Sequence, residues 1–261
     1  MEVVILPGEE QIAAVGADII AQHVAARPAA VLGLATGSSP LRVYEQLGRR
    51  IAAGDLTLSG CSAVLLDEYL GLPTGHREAY RQVIEREFVE RVDIDSTRVH
   101  GPDGSASDVV VACAEYEEQI RAAGGVDVQL LGIGGNGHIA FNEPGASLAG
   151  RTQARMLTEQ TRRDNARFFG DDIDAVPRHC LTQGIGTIRE ARHLLLIALG
   201  SAKAEAVQQL VEGPVSALWP ASALQLHPHV TVLLDDAAAS RLELREHYLA
   251  SAEHRLAGQR Y

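Results

Sequence analysis

The chain has 261 residues, a hydrophobic share of 46% and a formal net charge of −11. This length suits one large domain or two small ones, and the hydrophobic share is sufficient for a packed core. The acidic balance argues against a nucleic-acid-binding protein, which needs basic stripes, but it allows a small phosphorylated ligand held by a few placed groups.

Short apolar runs alternate with longer amphipathic stretches along the chain. Strands are predicted at 3–6, 29–35, 61–66, 126–131, 193–199 and 230–234. Helices are predicted at 9–26, 40–53, 76–90, 109–123, from Lys203 to Glu212, and after the last strand to about residue 257. The alternation predicts an α/β fold, a doubly wound and mainly parallel sheet with helices on both faces.

No internal repeat or linker interrupts the pattern, so we expect a single domain over residues 1–261. The segment 151–180 is polar, rich in arginine and without a clear period. Two interpretations stay open for this segment. It is either a lid over the site or an ordinary pair of surface helices.

The cysteines Cys61, Cys113 and Cys180 are odd in number and widely spaced. We therefore expect buried, reduced thiols rather than a disulfide framework or a zinc site. Neither a signal peptide nor an apolar run long enough to span a bilayer is visible. The sequence predicts a soluble, cytoplasmic protein without a membrane or nucleic-acid partner.

Four predicted strands end in polar or glycine-rich turns. The carboxyl ends of parallel strands lie at one edge of a sheet, where α/β proteins bind their ligands. The four turns are therefore expected to converge. They are Thr36 to Ser39, Asp67 with Glu68, Gly132 to Gly137, and Gly200 to Lys203.

The first turn offers backbone N–H groups, hydroxyls and a helix N-terminus, a combination that binds phosphate. Taken alone, it could equally be a capped strand-to-helix connection. Lys203 follows a second turn of this kind, and Arg167 could close over the ligand, although either cation could instead be a surface charge. The candidate phosphate-binding residues are Thr36, Gly37, Ser38, Ser39, Arg167 and Lys203.

Candidate acid–base residues follow two of the strands. Asp67 and Glu68 end an apolar run, and we assign the general base to Asp67 because it comes first and should face the crevice. His138 is the candidate general acid–base group. Asn136 and Glu143 are near enough in sequence to orient its ring and fix its tautomer.

Residues 132–137 formally match G-x-G-x-x-G, the fingerprint of dinucleotide-binding proteins. A long helix should follow that fingerprint, but Asn142-Glu143-Pro144-Gly145 breaks it at once, and residues 151–163 do not resemble a strand. The pair His227 and His229 has no carboxylate or cysteine beside it. We therefore expect neither a nucleotide cofactor nor a metal.

The order of these motifs resembles that of the glucosamine/galactosamine-6-phosphate isomerase family over nearly the whole chain. The most specific match is the stretch Gly134-Gly135-Asn136-Gly137-His138-Ile139-Ala140-Phe141-Asn142-Glu143-Pro144-Gly145. Further similar stretches are residues 32–40, 66–72, 161–169, 200–204 and 224–228.

This resemblance implies the conversion of glucosamine 6-phosphate and water to fructose 6-phosphate and ammonia, a step of amino-sugar catabolism, without a cofactor or metal. His138 would open the sugar ring, and Asp67 would move a proton between C2 and C1. Asn136 and Glu143 would hold the imidazole, while Thr36 to Ser39, Arg167 and Lys203 would hold the phosphate. The expected partner is a small sugar phosphate.

The chain departs from the family pattern in two places. Some members carry aspartate at the position of Asn136, so His138 should be less basic here. One branch is activated by N-acetylglucosamine 6-phosphate through a serine, an arginine, a lysine and a threonine. The aligned residues here are Ala146, Gln153, Arg155 and Met156, so we expect no such activation. The family includes monomers and hexamers, which leaves a homo-oligomer open.

Three other functions stay open at this point. A 6-phosphogluconolactonase shares the expected architecture and also binds a sugar phosphate, although the Asp67 motif argues against it. A galactosamine-6-phosphate deaminase would act on a substrate that differs at one hydroxyl. A non-catalytic sugar-phosphate sensor would bind without turnover, which the presence of both Asp67 and His138 makes improbable.

Overall fold

A computed structural model describes residues 1–254 of the chain. Its centre is a seven-stranded, fully parallel sheet in the order β1-β10-β9-β6-β2-β3-β5. The strands of this sheet are β1 (Glu2–Leu6), β2 (Val31–Leu34), β3 (Ser62–Leu65), β5 (Val99–His100), β6 (Val128–Leu131), β9 (His193–Ala198) and β10 (Val230–Asp235). The predicted parallel α/β architecture is confirmed.

Helices connect these strands and cover the sheet. They are α1 (Glu9–Ala26), α2 (Ser38–Ala53), α3 (Tyr80–Glu87), α4 (Val109–Ala122), α5 (Glu159–Ala166), α6 (Ile185–Ile188), α7 (Ala204–Val211) and α8 (Arg245–Glu253). Every residue of β2, β6 and β9 is buried. Strands packed on both faces need apolar side chains on both faces, which explains their nearly continuous apolar runs.

A second, smaller sheet was not predicted. It is antiparallel, in the order β4-β8-β7, with β4 (Asp67–Tyr69), β7 (Gln153–Met156) and β8 (His179–Thr182). The segment 151–180 supplies β7, α5 and the start of β8, so the alternative of two surface helices is wrong. Its buried residues Leu157, Ala166 and Val176 pack with Tyr69 and Phe141. Motion of this segment as a lid, and the single-domain organisation, stay predictions.

Several helix boundaries differ from those predicted. The predicted helix 76–90 is divided into α3 and a 3₁₀ turn at Val89–Arg91. Helix α8 starts at Arg245, and the rest of its predicted extent, to residue 257, runs beyond the described residues. Among residues 1–254, no helix has the length and apolar character needed to cross a bilayer.

Candidate active site

Asp67 lies where the two sheets meet. Strand β3 ends at Leu65, and two residues later the chain enters β4, in which Asp67 pairs with Thr182 of β8. The backbone N–H of Gln183 donates to the Leu66 carbonyl oxygen at 2.7 Å and joins the small sheet to the end of β3. Asp67 is therefore held on sheet hydrogen bonds at the carboxyl edge of the parallel sheet.

Asp67 and Glu68 have opposite surroundings although they are adjacent. The Glu68 carboxylate accepts the backbone N–H groups of Tyr69, Tyr80 and Arg81, each at 2.8 Å, at the start of α3. The Asp67 carboxyl is buried and has no hydrogen bond or ion pair within residues 1–254. Burial, and then the charge of Glu68, raise the pKa of Asp67 well above its usual range. A carboxylate in this state is a stronger base than an exposed one.

An aromatic cluster lines the space beside Asp67. The Tyr69 and Tyr80 hydroxyls lie 3.3 Å apart, and the two rings pack with centroids 4.8 Å apart. Phe141 stacks on Tyr80 at 5.9 Å, which brings the glycine-rich loop of residues 132–145 against this cluster. The Asn165 amide donates to the Tyr69 hydroxyl at 2.9 Å. The charge of Asp67 acts on both Tyr69 and Tyr80, which places this apolar wall with its few hydroxyls beside the carboxylate.

The glycine-rich loop carries His138 and folds tightly around it. The backbone N–H of Gly134 donates to the His138 carbonyl oxygen at 2.9 Å, which closes the loop. A Cβ on Gly134 would lie 2.2 Å from Cε1 of the His138 ring. Only glycine lets the imidazole lie this close to the backbone.

Glu143 is the charged partner of His138. Its Oε2 lies 3.6 Å from the imidazole Nδ1, an ion-pair distance that is longer than a hydrogen bond. Asn136 does not contact the ring. Its amide donates to Glu143 Oε2 at 2.8 Å, and its oxygen accepts the backbone N–H of His138 at 3.2 Å. Any effect of Asn136 on the imidazole therefore passes through Glu143 and the backbone.

The other Glu143 oxygen, Oε1, faces two hydroxyls of the segment 151–180. Thr161 donates a short hydrogen bond to it, and Thr158 donates from 3.2 Å. Burial raises the pKa of Glu143, but His138, Thr161 and Asn136 together outweigh it and lower that pKa to about 2. Glu143 is therefore ionised at every pH near neutrality. No role was predicted for either threonine.

The turn after β2 leads directly into an uncapped helix N-terminus. Gly37 has φ 97°, a conformation that favours glycine, and α2 begins directly after it at Ser38 instead of at the predicted residue 40. No side chain caps this end of the 16-residue helix. Its first N–H groups therefore remain available at the positive end of the helix dipole.

Two cations, Lys203 and Arg167, lie near each other: Lys203 follows β9, and Arg167 ends helix α5. Burial, and the nearby charge of Arg167, lower the pKa of Lys203, although Asp164 acts in the other direction. Neither cation has an ion pair to a carboxylate within 4 Å among the described residues. Lys203 lies in the turn that starts after Gly200. The glycine-rich loop packs against this turn, since a Cβ on Gly135 would lie 3.7 Å from the Ala202 carbonyl oxygen. Two neighbouring cations without paired anions attract a dianion such as phosphate.

Other candidates from the sequence lie elsewhere. The ring nitrogens of His227 lie 2.9 and 2.8 Å from the carbonyl oxygens of His229 and Ala191, so they face backbone. In the described part of the chain, no group of three or more histidines, cysteines or carboxylates is arranged to hold a metal. The three cysteines are buried and unpaired, as expected.

The predicted site residues stay predictions, and the structure adds neighbouring residues for which no role was predicted. These are Tyr80, Asn165, Thr158 and Thr161. The start of α5 could have been predicted, since Thr158 is a typical N-cap residue and its hydroxyl accepts the backbone N–H of Thr161. The contact of that helix with Glu143 could not be read from local sequence.

A family model and the sequence relatives both relate this chain to glucosamine-6-phosphate isomerases and deaminases. A family model described as glucosamine-6-phosphate isomerases/6-phosphogluconolactonase matches residues 9–233. The glucosamine-6-phosphate deaminase of Mycolicibacterium smegmatis is 61% identical over 248 residues, 95% of each chain. That of Beutenbergia cavernae is 60% identical over the same shares.

Solved structures agree with these sequence relatives. A monomeric glucosamine-6-phosphate deaminase superimposes with a TM-score of 0.90 at 44% identity, covering 92% of this chain and 100% of that one. A 6-phosphogluconolactonase from Leishmania guyanensis superimposes with a TM-score of 0.72 at 22% identity, covering 91% and 97%. The second likeness is one of fold alone.

Proposed function

The chain belongs to the glucosamine-6-phosphate isomerase/6-phosphogluconolactonase family, and on this premise we propose that it deaminates glucosamine 6-phosphate with Asp67 and His138 as its acid–base groups. The products are fructose 6-phosphate and ammonia. The observation that carries the proposal is the buried, unpaired Asp67 carboxyl at the same sheet edge as an imidazole with a carboxylate partner.

His138 acts first, by opening the sugar ring. The imidazole takes the proton of the C1 hydroxyl and delivers it to the ring oxygen, so the bond from C1 to that oxygen breaks and a C1 aldehyde forms. Positive charge develops on the imidazole during this transfer. Glu143, 3.6 Å away and ionised, stabilises that charge.

Asp67 then moves the proton between C2 and C1. Its carboxylate removes the C2 proton, the C1 oxygen gains a proton from the substrate's own ammonium group, and an enolamine results. Asp67 returns its proton to C1, which leaves an iminium at C2. Water adds to C2, its two protons pass to the nitrogen, and the C2–N bond breaks to give the C2 ketone and ammonia, released as ammonium. A base of raised pKa removes a carbon-bound proton more effectively, and the apolar wall of Tyr69, Tyr80 and Phe141 excludes water from it.

Binding of the substrate's phosphate group positions its reacting carbons. The turn of residues 36–39 supplies N–H groups and hydroxyls, and Arg167 with Lys203 supplies positive charge. Binding energy from this remote group is available to orient C1 and C2 at the reacting side chains. The proposed phosphate residues are those predicted from the sequence.

The first test is ammonia release from glucosamine 6-phosphate by purified wild-type protein and Asp67→Asn. We expect steady release from the wild type and a loss of at least about 100-fold in the variant, since general-base catalysis supplies roughly this factor or more. Asp55→Asn changes an exposed aspartate outside the site and serves as the matched control. Absence of ammonia from the wild type would overturn the proposal.

A lactone assay separates the runner-up function. With 6-phosphogluconolactone we expect no hydrolysis beyond the spontaneous rate. A homo-oligomer and a cytoplasmic location stay predictions. The three buried, unpaired cysteines are consistent with that location.

A further inference from the structure

Glu143 depends for its orientation on a helix that belongs to a different part of the chain. Helix α5 begins just after Thr158, and Thr161 lies in its first turn. Thr161 is buried, and its hydroxyl donates to Glu143 Oε1. The opposite oxygen, Oε2, faces the imidazole of His138. The carboxylate is thus held between the helix and the histidine.

The two threonines that contact Glu143 differ in their other contacts and in their distance from it. Thr158 Oγ1 accepts the backbone N–H of Thr161 at 3.1 Å and so caps α5, and its contact with Glu143 is the longer one, at 3.2 Å. Thr161 donates the short bond to the carboxylate. The two hydroxyls also lie 3.0 Å apart. Removal of the Thr158 hydroxyl would therefore disturb both the start of the helix and Thr161, whereas removal of the Thr161 hydroxyl acts directly on Glu143.

The distance between Glu143 and His138 shows why this orientation matters. At 3.6 Å no direct hydrogen bond fixes the imidazole Nδ1, which has no other partner among the described residues. The carboxylate is instead fixed from its far side, by Thr161 on Oε1 and by Asn136 on Oε2. A rotation of the carboxylate would change its distance from the ring at once.

We propose that Thr161 is a positioning residue for the reaction, whose hydroxyl holds the Glu143 carboxylate against the His138 imidazole. The same helix leads into Arg167 at its C-terminal end, so the acid–base pair and the proposed phosphate site share one rigid element. This inference rests on the proposed function, since it assigns a residue to the ring-opening step of that reaction.

The test compares Thr161→Val, which keeps the side-chain shape but lacks the hydroxyl, with Thr161→Ser, which keeps the hydroxyl. For Thr161→Val we expect kcat to fall about tenfold to a hundredfold, the factor that a hydrogen bond to a charged group corresponds to. KM should stay within about twofold, since the phosphate contacts remain. Thr161→Ser should restore most of kcat.

Thr187→Val is the matched control. The Thr187 hydroxyl also donates to a glutamate, Glu117 Oε1, at 2.5 Å, and the residue is equally buried, but it lies outside the site. We expect this variant to lose stability without the selective fall in kcat.

The outcomes separate the two proposals. Wild-type protein that releases no ammonia overturns the proposed function, and this inference with it. An active wild type with a Thr161→Val variant of equal kcat overturns the inference alone. A Thr161→Val variant whose kcat falls no more than that of Thr187→Val, or is not restored by serine, also overturns it, because the effect would then be one of folding.

Discussion

A buried histidine at the other edge of the sheet makes the stability of this protein depend on pH. His193 starts β9 and is fully buried. Its ring nitrogens lie 2.9 Å from His23 Nε2 and 2.9 Å from Thr231 Oγ1, and the His229 ring stacks on it with centroids 3.6 Å apart. Burial, followed by the charges of His229 and His23, lowers the pKa of His193 to about 3.

The direction of the effect follows from proton linkage. In the unfolded chain the imidazole has its ordinary pKa of 6.5, so between pH 6.5 and about 3 the unfolded state binds the proton and the folded state does not. The contribution of His193 to stability is complete above pH 6.5 and decreases as the pH falls. The decrease is about 1.4 kcal/mol per pH unit for one proton, which amounts to about 2 to 3 kcal/mol between pH 7 and 4.5.

The perturbation is His193→Gln, which removes the titrating group. Urea unfolding at pH 7 and at pH 4.5 gives the free energy of unfolding of each protein. At pH 7 the variant should be less stable, since it loses a packed ring and its hydrogen bonds. Between the two pH values the wild type should lose about 2 to 3 kcal/mol more than the variant. His247→Gln, which removes an exposed histidine of α8, should behave like the wild type.

Groups that do not contact His193 contribute equally to both proteins and cancel in this comparison, whereas His23, with its Nε2 2.9 Å from His193 Nδ1, does not. His23, whose pKa is also lowered by burial and by His229, adds an effect of the same sign. Equal losses of stability in the wild type and His193→Gln between pH 7 and 4.5 would refute the reasoning, because His193 would then bind its proton in the folded state.

Four further predictions concern the site. Gly134→Ala should lower kcat at least about tenfold with little change in melting temperature, since a Cβ there displaces the His138 ring. Lys203→Gln should raise KM for glucosamine 6-phosphate by about an order of magnitude, with a smaller effect on kcat. Addition of N-acetylglucosamine 6-phosphate should leave the shape and midpoint of the saturation curve unchanged. Asp67→Asn should raise the free energy of unfolding at pH 7 while it abolishes ammonia release, because burying the charged carboxyl destabilises the fold.

The parallel sheet was predictable from sequence and the antiparallel one was not. Strands such as β9 and β10 are long apolar runs bounded by glycine and polar turns, and these local signals were sufficient. Strand β4 has three residues, Asp67, Glu68 and Tyr69, and β7 has an arginine in four. Strand β4 shows no alternation, and β7 alternates over only four residues, with its apolar Ala154 and Met156 on the exposed side. They are strands because they pair with β8, and that pairing joins residues more than 100 positions apart for β4.

The candidate site was likewise predictable in one part and not in another. Its residues follow from a general property of parallel sheets, that ligands bind at the carboxyl edge. The contact of Thr161 with Glu143 depends instead on where α5 lies after the small sheet has formed. Local sequence indicated the helix but not its position, and for that reason the threonine hydroxyls were missed.

The different surroundings of the Asp67 and Glu68 carboxyl groups follow from the geometry of β4. Successive side chains of a strand point to opposite faces, so adjacent carboxylates cannot share one environment. Glu68 faces the start of α3, where three backbone N–H groups solvate it. Asp67 faces the aromatic wall, where nothing does. A fold selected for stability alone would not keep an unpaired carboxyl in its interior, and the proposed reaction supplies the reason for this short polar strand.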